Sequence, residues 1–151
     1  MMLRLLLLLT LSTTAFSHDL TKIRNIVGNL LSTDLSHITV RYEDNLWPAY
    51  AGYTCTKKLI IIHPLVKTLS KQAAVALVLH EVGHTFNLSH VSTKNVYDIM
   101  AVGEINMQGE LLRLYPKKFV SIFKYRVKNK IGMLPKTSWT GIEPPFCKVK
   151  K

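Results

Sequence analysis

Internal repeats and low-complexity linkers are absent from this 151-residue sequence, which excludes a repeat array and leaves one domain's worth of chain. Cysteine is scarce. Only Cys55 and Cys147 occur, so at most one disulfide can form and an apolar core has to carry the fold; with 48% hydrophobic residues the chain can build one. Near the start, Leu5 to Leu11 is apolar but broken by Thr10, and it falls well short of the ~20 residues that a membrane span needs. Acidic residues nearly vanish from 111–151, where Glu143 alone stands against eleven Lys or Arg.

What the start does contain is the pattern of an export signal. Met1-Met2-Leu3-Arg4 is a short positive opening, the apolar run follows, and Ala15-Phe16-Ser17 offers small residues before a cleavage point. Residues 1–17 are therefore expected to be a signal peptide cut after Ser17, and residues 18–151 a single domain that is secreted or periplasmic. Two cysteines fit such a compartment, either as one disulfide closing a long loop or as two unpaired thiols. Charge divides sharply along the mature chain. From His18 to Glu110 eight basic residues balance eight acidic ones, whereas 111–151 carries +10 of the formal +11. That asymmetry suits contact with an anionic surface (lipid, acidic glycan or another polyanion) and equally suits a solvated face. No specific nucleic-acid partner is expected, and the chain is expected to act as a monomer.

Chemistry concentrates in His80-Glu81-Val82-Gly83-His84-Thr85-Phe86-Asn87-Leu88-Ser89-His90. On a helix, His80 and His84 lie about 40° apart around the axis and roughly one turn along it, so both can reach one metal ion. Glu81 falls beside that face, placed to act on a water rather than to be a ligand. A helix continued through His90 would carry it about 9 Å further along, away from the metal. The helix therefore has to break first, and Asn87 is the residue suited to do it, because Asn readily enters the left-handed conformation.

These residues resemble the zinc-binding consensus of the metzincins, His-Glu-x-x-His-x-x-Gly-x-x-His followed by a methionine turn. Asn87 stands where the family usually has Gly, and Tyr97-Asp98-Ile99-Met100 resembles the turn, with Met100 as the apolar floor under the metal. The short spacing is most similar to matrixins and small bacterial relatives, although Ala101 and Val102 replace the Pro or Tyr that often follows there. The resemblance implies a zincin-like α+β catalytic domain: a small twisted mixed sheet, a buried zinc-binding helix, a preceding helix and a C-terminal helix. It also implies one catalytic Zn2+ held by His80, His84 and His90, and hydrolysis of a polypeptide substrate by zinc-activated water with Glu81 as general base. In the family the sheet strand shortly before the zinc helix borders the cleft; Leu59, Ile60, Ile61 and Ile62 match that place in order and are expected to offer an edge to substrate, or else to be an interior strand. Neither cysteine lies in anything like the matrixin pro-segment motif, and little chain precedes the first helix, so a pro-domain is not expected.

Other readings remain beside these. Another class of zinc peptidase takes a Glu well downstream of the second His, and Glu104 is the candidate. Asp98 can brace a ligating imidazole or cap the turn. Tyr97 can polarise a carbonyl or simply pack, and His18, His37 and His63 read as structural or exposed. A different function class is a non-catalytic, zinc-stabilised binding module acting through its cationic C-terminal region, although such a module has no need of Glu81.

Periodicity supplies the rest. Leu20, Ile23, Ile26, Val27, Leu30 and Leu31 predict an amphipathic helix over 19–31, and Ile38, Val40 and Tyr42 alternate as a strand. Residues 45–53 read as an ordered loop or short edge strand, and 58–63 as a strand stopped by Pro64. Ser70 caps a helix that is apolar on nearly every side from Ala73 to Leu79. Gly83 within it costs about 1 kcal/mol relative to Ala, which implies a close neighbour. Pro116 opens a helix to Lys130 that buries Phe119, Ile122, Phe123 and Val127 and exposes Lys117, Lys124 and Lys128. The tail from Gly132 is expected to be extended.

Overall fold

Asp19 starts the first helix by accepting the Lys22 amide, and α1 (Leu20–Leu31) runs until Ser32 turns left-handed. Its Leu20, Ile23, Val27 and Leu31 are buried, as their spacing predicts. The computed structural model describes residues 18–46, 51–101, 103–133 and Cys147. The expected signal peptide and most of the tail lie outside the described residues. Among the described residues, no helix is long and apolar enough to cross a membrane.

Three strands form one mixed sheet: β1 (Thr39–Tyr42), β2 (Gly52–Thr56) and β3 (Leu59–Ile62), in the order β1-β3-β2. β1 runs parallel to β3, and β2 runs antiparallel to it with an irregularity between Thr54 and Thr56. The expectation that Leu59, Ile60, Ile61 and Ile62 offer an edge is therefore wrong. β3 is the central strand, paired on both sides, and all four of its residues are buried. The reason is compositional: with no polar alternation, both faces need cover. Ile60 and Ile62 join the main core with α1, while Leu59 and Ile61 pack with Leu46, Cys55 and Cys147 on the other face. β1 and β2 are the two edges of the sheet. β2 overlaps the 45–53 segment, expected as an ordered loop or short edge strand, only at Gly52 and Tyr53, and Gly-Tyr-Thr-Cys-Thr has little apolar alternation to reveal the rest.

After β3, His63 caps a 3-10 turn (Pro64–Thr68) by accepting the Leu65 amide. Ser70 then caps α2 (Lys71–Thr85) through the Ala73 amide, and every residue from Ala73 to Leu79 is buried. That all-round burial follows from its layering against α1, β2 and α3. Helix α3 (Ile105–Leu114) was not anticipated, and α4 (Pro116–Asn129) follows after only Tyr115. The result is a small α+β fold with four described α-helices and a three-stranded mixed sheet. Cys55 of β2 is bonded to Cys147, 92 residues on, which ties Cys147 to an edge strand.

Candidate metal centre

The end of α2 decides where the third histidine goes. Asn87 adopts φ +64°, and around it the Asn87 amide donates to the His84 carbonyl at 2.9 Å and the Leu88 amide to the Gly83 carbonyl at 3.0 Å. This is a Schellman ending with Asn in the place usually taken by Gly. Leu88, fully buried, anchors the reversed chain in the core. His90 is thereby turned back over the helix it has just left.

Its Nε2 lies 3.0 Å from Nε2 of His80 and 3.2 Å from Nε2 of His84. Nδ1 of His80 donates to the Ile99 carbonyl at 2.7 Å, and Nδ1 of His84 to the Leu88 carbonyl at 2.8 Å. A carbonyl can only accept, so in the neutral rings both Nε2 atoms carry lone pairs and no proton. His90 has one Nε2–H at most and can satisfy only one of them. A cation between the three rings resolves that excess of lone pairs, and tetrahedral ligands about 2.05 Å from zinc would sit about 3.3 Å apart. The three imidazoles therefore fit a single metal ion. Burial holds His80 down to a pKa of about 4, against the Ile99 bond, and lowers His84 as well, so these two rings stay neutral and ready to bind.

Met100 is fully buried. A Cβ on Gly83 would overlap the Met100 sulfur, which explains why α2 accepts a glycine in its interior. Asp98 caps the turn, accepting the Met100 amide at 3.0 Å. It also pairs with Arg126 at 3.1 Å, and no described bond joins it to an imidazole. Val91 donates to the Met100 carbonyl, so the loop carrying His90 is stitched to this turn.

Glu81 is only 4% exposed. Burial pushes its carboxyl up to about 7, opposed by a hydrogen bond from Thr54. That hydroxyl lies 2.8 Å from Oε2 of Glu81, so the edge strand β2 orients the carboxyl. Thr54 has no local sequence signal, since its role depends on β2 packing against α2.

The remaining candidates separate clearly. Glu104 is exposed and caps α3, accepting the Asn106 and Met107 amides at 3.0 and 2.7 Å; it is not part of the histidine cluster. Tyr97 packs edge-on against Tyr115 and Phe119 under the Lys118 ammonium. Ring nitrogen Nε2 of His18 meets the Leu69 carbonyl, His63 caps the 3-10 turn, and His37 is exposed. Arg126, counted in the sequence with the cationic region, is 4% exposed and belongs to the interior. Its helical spacing from Phe119 and Phe123 was the available signal. Comparison with protein-family models, curated proteins and solved structures returns no match for this chain.

Proposed function

We propose that this protein is a small metzincin-like zinc endopeptidase. The observation that carries the reading is the convergence of three Nε2 atoms, two of them locked as proton-free by backbone carbonyls, beside a buried glutamate on the same helix. A purely structural site has no use for that glutamate.

His80, His84 and His90 would hold the ion, which when bound supplies Lewis acidity to a peptide carbonyl and lowers the pKa of water. Glu81 would take the proton of the attacking water as its oxygen bonds to the carbonyl carbon. The same carboxyl would return that proton to the departing amine as the carbon–nitrogen bond breaks. Thr54 orients the carboxyl. Strand β2 borders Glu81, and it is the strand to which an extended polypeptide would add through main-chain hydrogen bonds.

The test is Glu81→Gln, assayed on a complex peptide mixture. Zinc content and fold should persist while hydrolysis falls by about 10²- to 10⁴-fold, the usual worth of a general base. Wild-type protein that holds zinc yet shows no Glu81-dependent cleavage would overturn the enzyme reading. It would favour the second one, a zinc-stabilised module docking through α4. A specific observation keeps that alternative alive: α4 contains no acidic residue, and its Lys117, Lys124 and Lys128 are all exposed.

A further inference from the structure

His90 differs from the other two ligands in that no helix holds it. Its neighbours do. On one side Val91 is bonded to the Met100 carbonyl and bridged to Ala101. On the other, the Ser89 amide and hydroxyl both donate to the Gly132 carbonyl, at 2.7 and 2.8 Å. One side chain joins these two anchorages. Arg126, near the end of α4, donates from Nη1 to Asp98 at 3.1 Å, from Nη2 to the Ser89 carbonyl at 3.3 Å, and from Nε to the Ile131 carbonyl at 3.3 Å. Asp98 in turn holds the Met100 amide.

We propose that Arg126 is a positioning residue for the metal centre, fixing His90 by clamping the Ser89 carbonyl to the Asp98 turn. The inference rests on the three-histidine metal reading. A planar fork is needed for the task, because its donors must face a carboxylate and two separate carbonyls at fixed angles. Lysine can meet Asp98 but offers a single point from which it cannot also span Ser89 and Ile131. Gly132 completes the clamp: it sits at φ +64°, and a Cβ there would collide with the Arg126 guanidinium. The turn after α4 thus leaves room for the arginine while presenting its own carbonyl to Ser89.

The clamp acts on one ligand of three, and this makes it testable by a double-variant cycle on zinc affinity. Arg126→Lys should keep the apo fold, measured by far-UV circular dichroism and cooperative melting, yet weaken zinc binding by about tenfold or more, the usual cost of losing an outer partner of a ligand. In the cobalt-substituted protein its visible band should shift toward that of His90→Ala. Adding Arg126→Lys to His90→Ala should cause little further loss, because the ligand it serves is already gone. If Arg126→Lys does not fold, Asp98→Asn with Arg126→Met carries the same cycle, since removing both charges leaves no unpaired ion buried. Wild-type zinc affinity in the folded variant, or losses that simply add, would overturn the proposal. Wild type and His90→Ala binding zinc equally would instead overturn the three-histidine reading, and the clamp with it.

Discussion

The Thr54 hydroxyl lies 2.8 Å from Oε2 of Glu81 and also 2.8 Å from the main-chain carbonyl oxygen of Glu81. It has one hydrogen for two acceptors. With Glu81 ionised, the hydroxyl can donate to the carboxylate; with Glu81 protonated, it can accept from the acid and donate to the carbonyl. Both states of the glutamate are therefore partnered.

Thr54→Val removes the partner of the ionised state. The Thr54 bond lowers the Glu81 pKa against burial, so its loss should raise the pH at which Glu81 ionises by about one unit, given the worth of a hydrogen bond to a charge. Thr54→Ser should stay near wild type. Carboxyl carbon NMR titration of the metal-free protein measures this, and equal values for valine and serine would refute the role.

Metal-free protein should also show Glu81 in its stability. Its pKa rises from 4.5 to about 7 on folding, so between those values the native state holds a proton that the unfolded chain has released. The contribution of Glu81 is therefore full below about pH 4.5 and lost as pH rises to about 7. His80, lowered from 6.5 to about 4, contributes oppositely, losing stability as pH falls through that range. Glu81→Gln isolates the first effect: relative to wild type, the variant should gain by up to about 3 kcal/mol from pH 4.5 to 7.5. Urea unfolding with a chelator present checks this; a pH-independent difference contradicts it.

Removing His90 and removing Glu104 should do different things. His90→Ala should lose zinc affinity, because it deletes one of three converging nitrogens. Glu104→Ala should keep zinc and lower stability through loss of a helix cap. Metal content and unfolding measured on both decide the matter, and zinc loss confined to Glu104→Ala would remove the metzincin reading.

The bond between Cys55 and Cys147 closes a loop of 92 residues, and both residues lie in the smaller apolar cluster. Replacing both by Ser should cost about 3 kcal/mol, within the usual range for a disulfide. Urea unfolding of wild type with reductant should show a similar loss. An unchanged midpoint in both cases would mean that the tie adds nothing.

Lys117, Lys124 and Lys128 fall along one exposed side of α4, while Arg126 does not. Neutralising the three lysines should weaken binding to vesicles of acidic phospholipid, and the wild-type binding should itself fall steeply with salt. Cosedimentation at two ionic strengths tests both points. Salt-independent binding, or binding unaffected by the substitutions, would count against an anionic partner for this face.

Local periodicity was enough to place His80 and His84 on one face of α2, to mark Asn87 as the break, and to outline α1, α4 and two of the three strands. Those features depend on residues within about a turn of one another. Helix α3 escaped because Glu104 looked like a ligand rather than a cap, and of β2 only Gly52 and Tyr53 fell in the segment read as a loop or short edge strand. What required the folded chain is which elements lie side by side. The pairing of β3 on both edges, the reach of Thr54 to a glutamate 27 residues away and the bond of Arg126 to Asp98 28 residues away all arise where packing brings distant segments together. Spacing along a helix can align two histidines, but only the return of the chain after Asn87, fastened by Leu88 and Gly132, brings the third nitrogen to meet them.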